Sequence, residues 1–245
     1  MRVSRLEFLL NTNSVILKKI YYFYNIYIRN FKFLFNGSQF GESKKILKYF
    51  KINYKGKYVD LGCFHPTKHN NTIELHRQNW KGINIDLNPI TIALFNFHRP
   101  NDINIRCAVS NKNGISTYYL KDKISPLNTL EKDQLPFLQK NFNIPKNDLK
   151  KLKIKTKTLK QILKRYKFFK IDFLNIDIEG HELKVFQNFD FKLFKINLIC
   201  LEMLKSDRKS IKDSLKIDSI LKKNGFKFVE KIGVNHFYKN KKFDY

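Results

Sequence analysis

Between residues 57 and 203 the sequence alternates short apolar runs of strand length with segments of helical spacing, and no other feature restricts the fold as strongly. "KYVDLG" (57–62), "GINIDL" (82–87), "DINIRCAV" (102–109), "DFLNID" (172–177) and "INLICLEM" (196–203) read as buried strands, with "ISTYYL" (115–120) as a minor one. Helical spacing fills the gaps at "TIELHRQN" (72–79), "ITIALFNF" (90–97), "LKQILKRY" (159–166) and "ELKVFQNF" (182–189), and residues 42–50 form a short helix ahead of them. Downstream, Ser210 is placed to cap "IKDSLKIDSILKKN", whose Ile211, Leu215, Ile217, Ile220 and Leu221 share one side, and Gly225 is placed to end it. "FKFVEKI" and "VNHFYKN" close the chain as a pair of strands. Such alternation predicts an α/β, doubly wound, mostly parallel sheet with helices on both faces.

In such a sheet ligands bind outside the carboxyl ends of the strands, near the switch point of the strand order. Asp60, Gly62, Asp86, Asp177 and Glu202 all fall at or just after such ends, so they share one rim. Any one of them could be a cap or a solvated loop acid; five together predict a site. The rim is densest in "FLNIDIEGHELKVF" (173–186), where Asp177, Glu179, His181 and Glu182 crowd around Gly180. Burying an unpaired carboxylate costs several kcal/mol, so folding alone gives no reason for three acids at a strand end.

The first strand ends in "VDLGCFHP". A glycine there lets the backbone approach a ligand, but Phe64 occupies the would-be second glycine position, which disfavours a pyrophosphate-cradling turn. Asp86 ends the adjacent strand, where an acid suits a bidentate grip on ribose hydroxyls; taken alone it is also a helix cap before Pro89. A nucleoside without a pyrophosphate is what S-adenosylmethionine presents.

The charge balance narrows partners less than it first suggests. Lys+Arg 48 against Asp+Glu 21 gives +27, which points to nucleic acid, anionic membrane or acidic substrates. Yet the chain is also crowded with Asn, Ile, Phe and Tyr, has only Ala93 and Ala108 as alanines, and prefers Lys to Arg, the profile of AT-rich codons. The lysines are scattered rather than striped, and base-reading contacts favour Arg. Cys63, Cys107 and Cys200 lie far apart beside apolar runs, as reduced thiols of a cytoplasmic protein would, and no Cys/His cluster has zinc spacing. No cleaved leader is expected. The aromatic, basic stretch 14–35 is interrupted by Lys18, Lys19, Arg29 and Lys32, so it is a poor membrane span. It reads as an amphipathic helix packed on the domain, with peripheral contact to an anionic membrane as the alternative. The expected organisation is an arm over 1–37 and one domain over 38–245, carrying a polar, proline-punctuated, lid-like insert at 121–153 that includes Pro126.

A set of motifs in fixed order carries a resemblance: "SQFGE" (38–42), "YVDLGCFHP" (58–66), "NNT" (70–72), "NWKGINIDLNP" (79–89), "RPNDINIRCAVSN" (99–111), "LNTL" (127–130), "KTKTLKQIL" (155–163) and "FLNIDIEGHE" (173–182). Over residues 38–203 the sequence resembles the FkbM-type S-adenosylmethionine-dependent methyltransferases. The resemblance implies a class I (Rossmann-like) seven-stranded fold and methyl transfer, typically to a hydroxyl of a sugar or other natural product. It assigns Asp60, Gly62, Asn71, Thr72, Asp86, Asn88 and Ala108 to the cofactor side, and matches Asp177, Glu179, Gly180 and Glu182 to an Asp-x-Glu-Gly-x-Glu signature. Ser43, where an acid is more usual, and Cys63, where alanine is, depart from the pattern.

Transfer from a sulfonium needs an in-line hydroxyl and help in losing its proton. Asp177 is expected to face the methyl group, with Glu179 beside it and His65 and His181 as candidate bases. Each histidine also has a plainer reading, His65 as a cap on its own loop and His181 as a first-turn helix residue facing solvent. Asp177, Glu179 and Glu202 could instead bind Mg²⁺. The acceptor is expected to be a small molecule or glycan. RNA ribose 2′-hydroxyl methylation is the first rival and an inactive membrane-associated scaffold of the same fold the second. An Asn/Asp-Pro-Pro-aromatic turn for base amino groups is absent.

Overall fold

The computed structural model describes residues 6–121, 128–145, 148–203 and 208–243; Pro126 and Leu127 of the expected insert lie outside them. In chain order the helices are α1 (Val15–Phe23), α2 (Glu42–Leu47), α3 (Ile73–Arg77), α4 (Pro89–His98), α5 (Leu135–Phe142), α6 (Leu159–Arg165), α7 (Glu182–Gln187) and α8 (Arg208–Lys223). The strands are β1 (Lys57–Leu61), β2 (Lys81–Asp86), β3 (Ile103–Arg106), β4 (Ala108–Val109), β5 (Gly114–Leu120), β6 (Lys150–Lys157), β7 (Lys170–Ile176), β8 (Lys195–Glu202), β9 (Phe226–Ile232) and β10 (Asn235–Asn240). Seven of them form one sheet in the order β3-β2-β1-β7-β8-β10-β9, with β10 antiparallel to both neighbours and the other pairings parallel. The order reverses at β1 and β7, so their carboxyl ends open the crevice that the rim residues border.

Strand periodicity decides which helices cover the sheet. Val59, Leu174 and Ile199 point to one face and pack on Ile162 and Leu163 of α6, Phe186 of α7 and Leu221 of α8. Their neighbours Tyr58, Phe173 and Leu198 point to the other, against Ile46, Leu75 and Trp80. Both faces are therefore dry, which is why the central strands read as continuous apolar runs rather than as alternating ones.

Beneath the crevice a fully buried cation ties the loops together. The Arg99 guanidinium, at the end of α4, donates to the Tyr58 hydroxyl (3.0 Å), the Thr72 hydroxyl (2.9 Å), the Pro66 carbonyl (2.5 Å) and Asn70 Oδ1 (2.8 Å). It stacks at 4.9 Å on the Phe95 ring. The Tyr58 hydroxyl in turn donates to Asp102 Oδ2 at 2.5 Å, and Asp102 Oδ1 accepts from the Gly82 amide at 3.0 Å.

Several expected elements take a different form. The run 102–109 is two strands: at Cys107, whose amide donates to the Asp86 carbonyl, the chain leaves the main sheet, and β4 joins a second sheet of order β4-β6-β5. The lid-like insert is partly regular. Its last residues are β6, antiparallel to β5, and Leu135–Phe142 is a helix. In β6 Leu152, Ile154 and Thr156 do alternate with lysines, but the sheet is largely solvated, so the alternation is drowned by charge. Ser210 lies within α8 and its carbonyl accepts from the Ser214 hydroxyl, so it is no cap. Of the apolar side of that helix Ile217 and Leu221 are buried, whereas Ile211 and Leu215 are exposed. Gly225, at φ +86°, does end the helix. The stretch 14–35 packs on the domain through Tyr21, Asn25 and Ile26, as α1 followed by a π-helical turn (Tyr24–Arg29) and a 3₁₀ turn (Phe31–Leu34).

Replacing Arg99 with Met would strip the charge that Asp60 and Asp102 feel and leave Asn70 and Thr72 short of donors. We expect a loss of about 3–5 kcal/mol in urea denaturation, as for other buried charged groups that lose one partner.

Candidate active site

Outside the carboxyl ends of β1, β2, β7 and β8 lies a cavity of about 200 Å³. Tyr118 of β5 and Asn128, Thr129 and Leu130 cover one side; Gln39 and Glu42 close another. The insert is fastened there, because Thr129 pairs with Tyr119 and its hydroxyl donates to the Glu179 carbonyl at 3.1 Å.

The lining is acidic. Glu42, Asp86, Asp177, Glu179 and Glu202 line the cavity and no Lys or Arg does among the described residues, although the chain holds 48 basic residues against 21 acidic ones. Composition would give the reverse, so the arrangement is selected by the fold. Burial raises the Asp177 pKa and pushes Glu179 and Glu202 well up from the ordinary carboxylate range, with repulsion from neighbouring carboxylates adding to it for Glu179 and Glu202. Asp177 and Glu202 share a hydrogen bond that favours charge on Asp177 and the proton on Glu202. The three residues each bring one carboxylate oxygen within 4.8 Å of the others, a spacing that suits one hard cation or a shared set of protons.

The loop "DIEGHE" explains its own composition once folded. Glu179 (φ +54°) and Gly180 (φ +87°) both turn left-handed, which costs a non-glycine residue about 1 kcal/mol or more. Glu182 reaches back so that Oε1 accepts from the amides of Ile178 (3.0 Å) and Gly180 (3.2 Å), bracing the turn, while burial lifts its pKa to about 7. Thus Asp177 and Glu179 line the cavity and Glu182 holds them there. Gly62 (φ +83°) serves the same loop: a Cβ at this position would sit 1.7 Å from the Asp177 carbonyl oxygen. Its close approach is to β7 rather than to a ligand, and the amides of Gly62 and Cys63 are spent on the Ile85 carbonyl.

The residues expected on the cofactor side divide in two. Gly62, Asn71, Asp86, Asn88 and Ala108 line the cavity. Asp86 accepts from the amides of Asn88 (2.7 Å) and Phe64 (3.0 Å), one on each oxygen, and burial raises its pKa to about 6. A carboxylate can accept about four hydrogen bonds, so Asp86 keeps capacity for a hydroxyl. Asp60 and Thr72 lie beneath. Asp60 is buried, accepting from Asn175 (2.8 Å), the Thr72 hydroxyl (2.8 Å) and Asn70 (3.2 Å), and through Asn175 it reaches Asn71. They shape the floor without facing the void.

Neither histidine expected as a base faces the cavity. His65 is buried: Nδ1 accepts the amides of Thr67 (3.1 Å) and Lys68 (2.9 Å), and Nε2 faces Asn25 Oδ1 at 2.9 Å. Both ring nitrogens are occupied, as in a loop cap. His181 is buried too, not solvent-facing, with Nδ1 at 2.6 Å from Glu131 Oε1 and Nε2 at 3.0 Å from the Ser110 hydroxyl. Glu131 also binds Lys184 and Lys209, so this chain clips the insert to α7 and β4. Sequence reasoning missed Glu42, which accepts from the Phe40 amide (2.8 Å) and Asn235 (2.7 Å) at the wall; the "SQFGE" motif was its only signal.

Fold and site define a class I methyltransferase. The family model described as "Methyltransferase FkbM domain" matches residues 56–228, and the chain belongs to that family, which uses S-adenosylmethionine. No curated protein matches the sequence. Among solved structures the chain is similar to the Methanococcus jannaschii fibrillarin pre-rRNA processing protein, at 16% identity and a TM-score of 0.38, over 76% of this chain and 67% of that one. S-adenosylmethionine carries a sulfonium and an ammonium, and an acid-walled cavity with no Lys or Arg among its described lining residues fits such a cation, with Asp86 placed for hydroxyls.

Burial lowers the His65 pKa from 6.5 to about 3. Its folded form resists protonation, so its contribution is full above about pH 6.5 and is lost as pH falls towards 3. The raised cavity carboxyls act in the opposite sense, so the term is read by difference. The stability gap between wild type and His65→Gln should shrink by about 2 kcal/mol between pH 7 and pH 5 in urea melts.

Proposed function

We propose that the protein transfers the methyl group of S-adenosylmethionine to a hydroxyl of an uncharged acceptor, a sugar of a glycan or a related natural product. One observation supports this reading: the cavity gathers carboxyl groups around Asp177 at the switch point, with no Lys or Arg among the described residues that line it. The bound cofactor supplies an electrophilic methyl group on a positively charged sulfur. Asp86 is then the residue to hold the ribose hydroxyls, and Asp177 and Glu179 offset the cationic charge across the cavity. With Glu202 carrying a proton, Asp177 accepts hydrogen bonds and orients the acceptor hydroxyl. With the cofactor bound, Asp177 would take the hydroxyl's own proton as that oxygen bonds to the methyl carbon and the carbon–sulfur bond breaks, the sulfur leaving as a neutral thioether. A raised pKa makes Asp177 a better base near neutral pH than a solvated carboxylate. Base catalysis rests on the carboxylates because His65 and His181 have both ring nitrogens engaged away from the cavity.

The acid wall also bears on the acceptor. A phosphate-rich chain such as RNA would meet five acidic side chains and, among the described lining residues, no Lys or Arg to pair with its phosphates, while sugar hydroxyls donate to carboxyl oxygens readily. The chain as a whole, at +27, still attracts polyanions without specificity.

Two variants test the roles. Asp86→Ala should weaken S-adenosylmethionine binding tenfold or more in calorimetry, the worth of lost charge-assisted hydrogen bonds. Asp177→Asn should keep that binding within about threefold while transfer of labelled methyl to a panel of glycans falls by about 10²–10⁴. Normal turnover by Asp177→Asn would sink the assignment. Transfer should survive excess chelator; loss restored by Mg²⁺ would give Asp177, Glu179 and Glu202 to a metal instead. Methylation confined to RNA would overturn the acceptor class.

A further inference from the structure

The segment before the methyltransferase domain has one face that the fold uses and one that it does not. On the inner side Tyr21 and Ile26 are buried, Asn25 meets His65 (2.9 Å), the Tyr27 hydroxyl meets His98 Nδ1 (3.0 Å), and the Phe33 and His69 rings pack at 5.0 Å. The outer side is apolar. Ten of the eighteen large apolar side chains exposed among the described residues fall between Phe8 and Phe40, a concentration that scattered surface hydrophobics would not give.

These side chains form a stripe. Ile16, Ile20 and Phe23 follow at helical spacing on α1 and are 72%, 48% and 51% exposed. In the π-helical turn that follows, the Phe23 ring packs on Tyr27 at 5.1 Å and Ile28 is 58% exposed, and Phe31 and Phe35, at 55% and 65%, continue from there with their rings 5.2 Å apart. Over residues 6–37 the segment carries Lys18, Lys19, Arg29 and Lys32 against Glu7 alone.

We propose that this stripe lies on an anionic lipid bilayer. Aromatic and branched side chains on one face with lysines and arginines beside them are what an interfacial helix requires. The occupant follows from charge: the segment's cations and the +27 of the whole chain are attracted to acidic headgroups, whereas a second copy of the chain would bring +27 against +27. The segment lies on the surface and does not cross, since no helix among the described residues is long and apolar enough to span a membrane. None of this depends on which hydroxyl is methylated.

Flotation of the full chain with vesicles tests the assignment. The wild type should float with phosphatidylcholine–phosphatidylglycerol vesicles and not with phosphatidylcholine alone, and salt should weaken binding. The triple variant Ile16→Ser, Phe23→Ser, Phe31→Ser keeps the net charge and alters only exposed positions; its partitioning should fall by about tenfold or more with an unchanged thermal melt. Lys19→Glu with Lys32→Glu should lower partitioning likewise, and decides the matter if the triple variant fails to fold. A wild type that stays unbound overturns the proposal. So does a triple variant that floats as well as the wild type, which would reduce the effect to bulk charge. A wild-type dimer in sedimentation, split by the same substitutions and indifferent to vesicles, would give the stripe to a second copy.

Discussion

Arg99 is sealed from solvent at the end of α4, and most of what surrounds the cavity hangs from it. Its guanidinium donates into the loop after β1 at Pro66 and Asn70, into Thr72 at the foot of α3, and into Tyr58 of β1, which passes the contact on to Asp102 before β3. A lysine could not serve so many partners from one point, because only a planar fork presents several donors in fixed directions. The cation also offsets the burial of Asp60, whose hydrogen bonds with Asn175 join the ends of β1 and β7. The switch-point crevice is held open by this buried polar framework, beneath which the apolar layers pack.

Above that framework the protein separates charge against its own composition. Its surface is strongly basic while its cavity is walled by acids. Such a separation costs stability, since carboxylates pushed together under burial must hold protons or a cation. The cost falls at one place, around Asp177, where Glu179, a non-glycine residue in the left-handed region, also stores backbone strain. Strain and like charge at a single turn, braced by Glu182 from one side and by Thr129 and Glu131 from the other, mark a preorganised site rather than a tolerated defect.

Much of this was readable in the sequence. The strand and helix rhythm fixed the sheet, and the acids at strand ends fixed the rim, because side-chain period and strand direction are local properties. Asp86, Asp177, Glu179 and Glu202 all face the cavity as their positions on the rim imply. Less was readable where partners are remote. Gly62 was legible as a special glycine, but the atom it makes room for is the carbonyl oxygen of Asp177, just beyond the end of β7. The strand Lys150–Lys157 escaped notice because its lysines and solvated faces hide an alternation that burial would have sharpened.

The sequence by itself therefore determined the α/β architecture, the family and the edge of the sheet where chemistry belongs. These follow from local patterning and from a motif order that few other folds would produce. Only the tertiary structure decided which ionisable groups reach the void and which are consumed in holding it. His181 meets Glu131 across 50 residues of sequence, Asn71 meets Asn175 across 104, and Asp60 meets Asn175 across 115. A side chain's protonation and direction are set by such distant neighbours through burial and hydrogen bonding, and no local pattern records them.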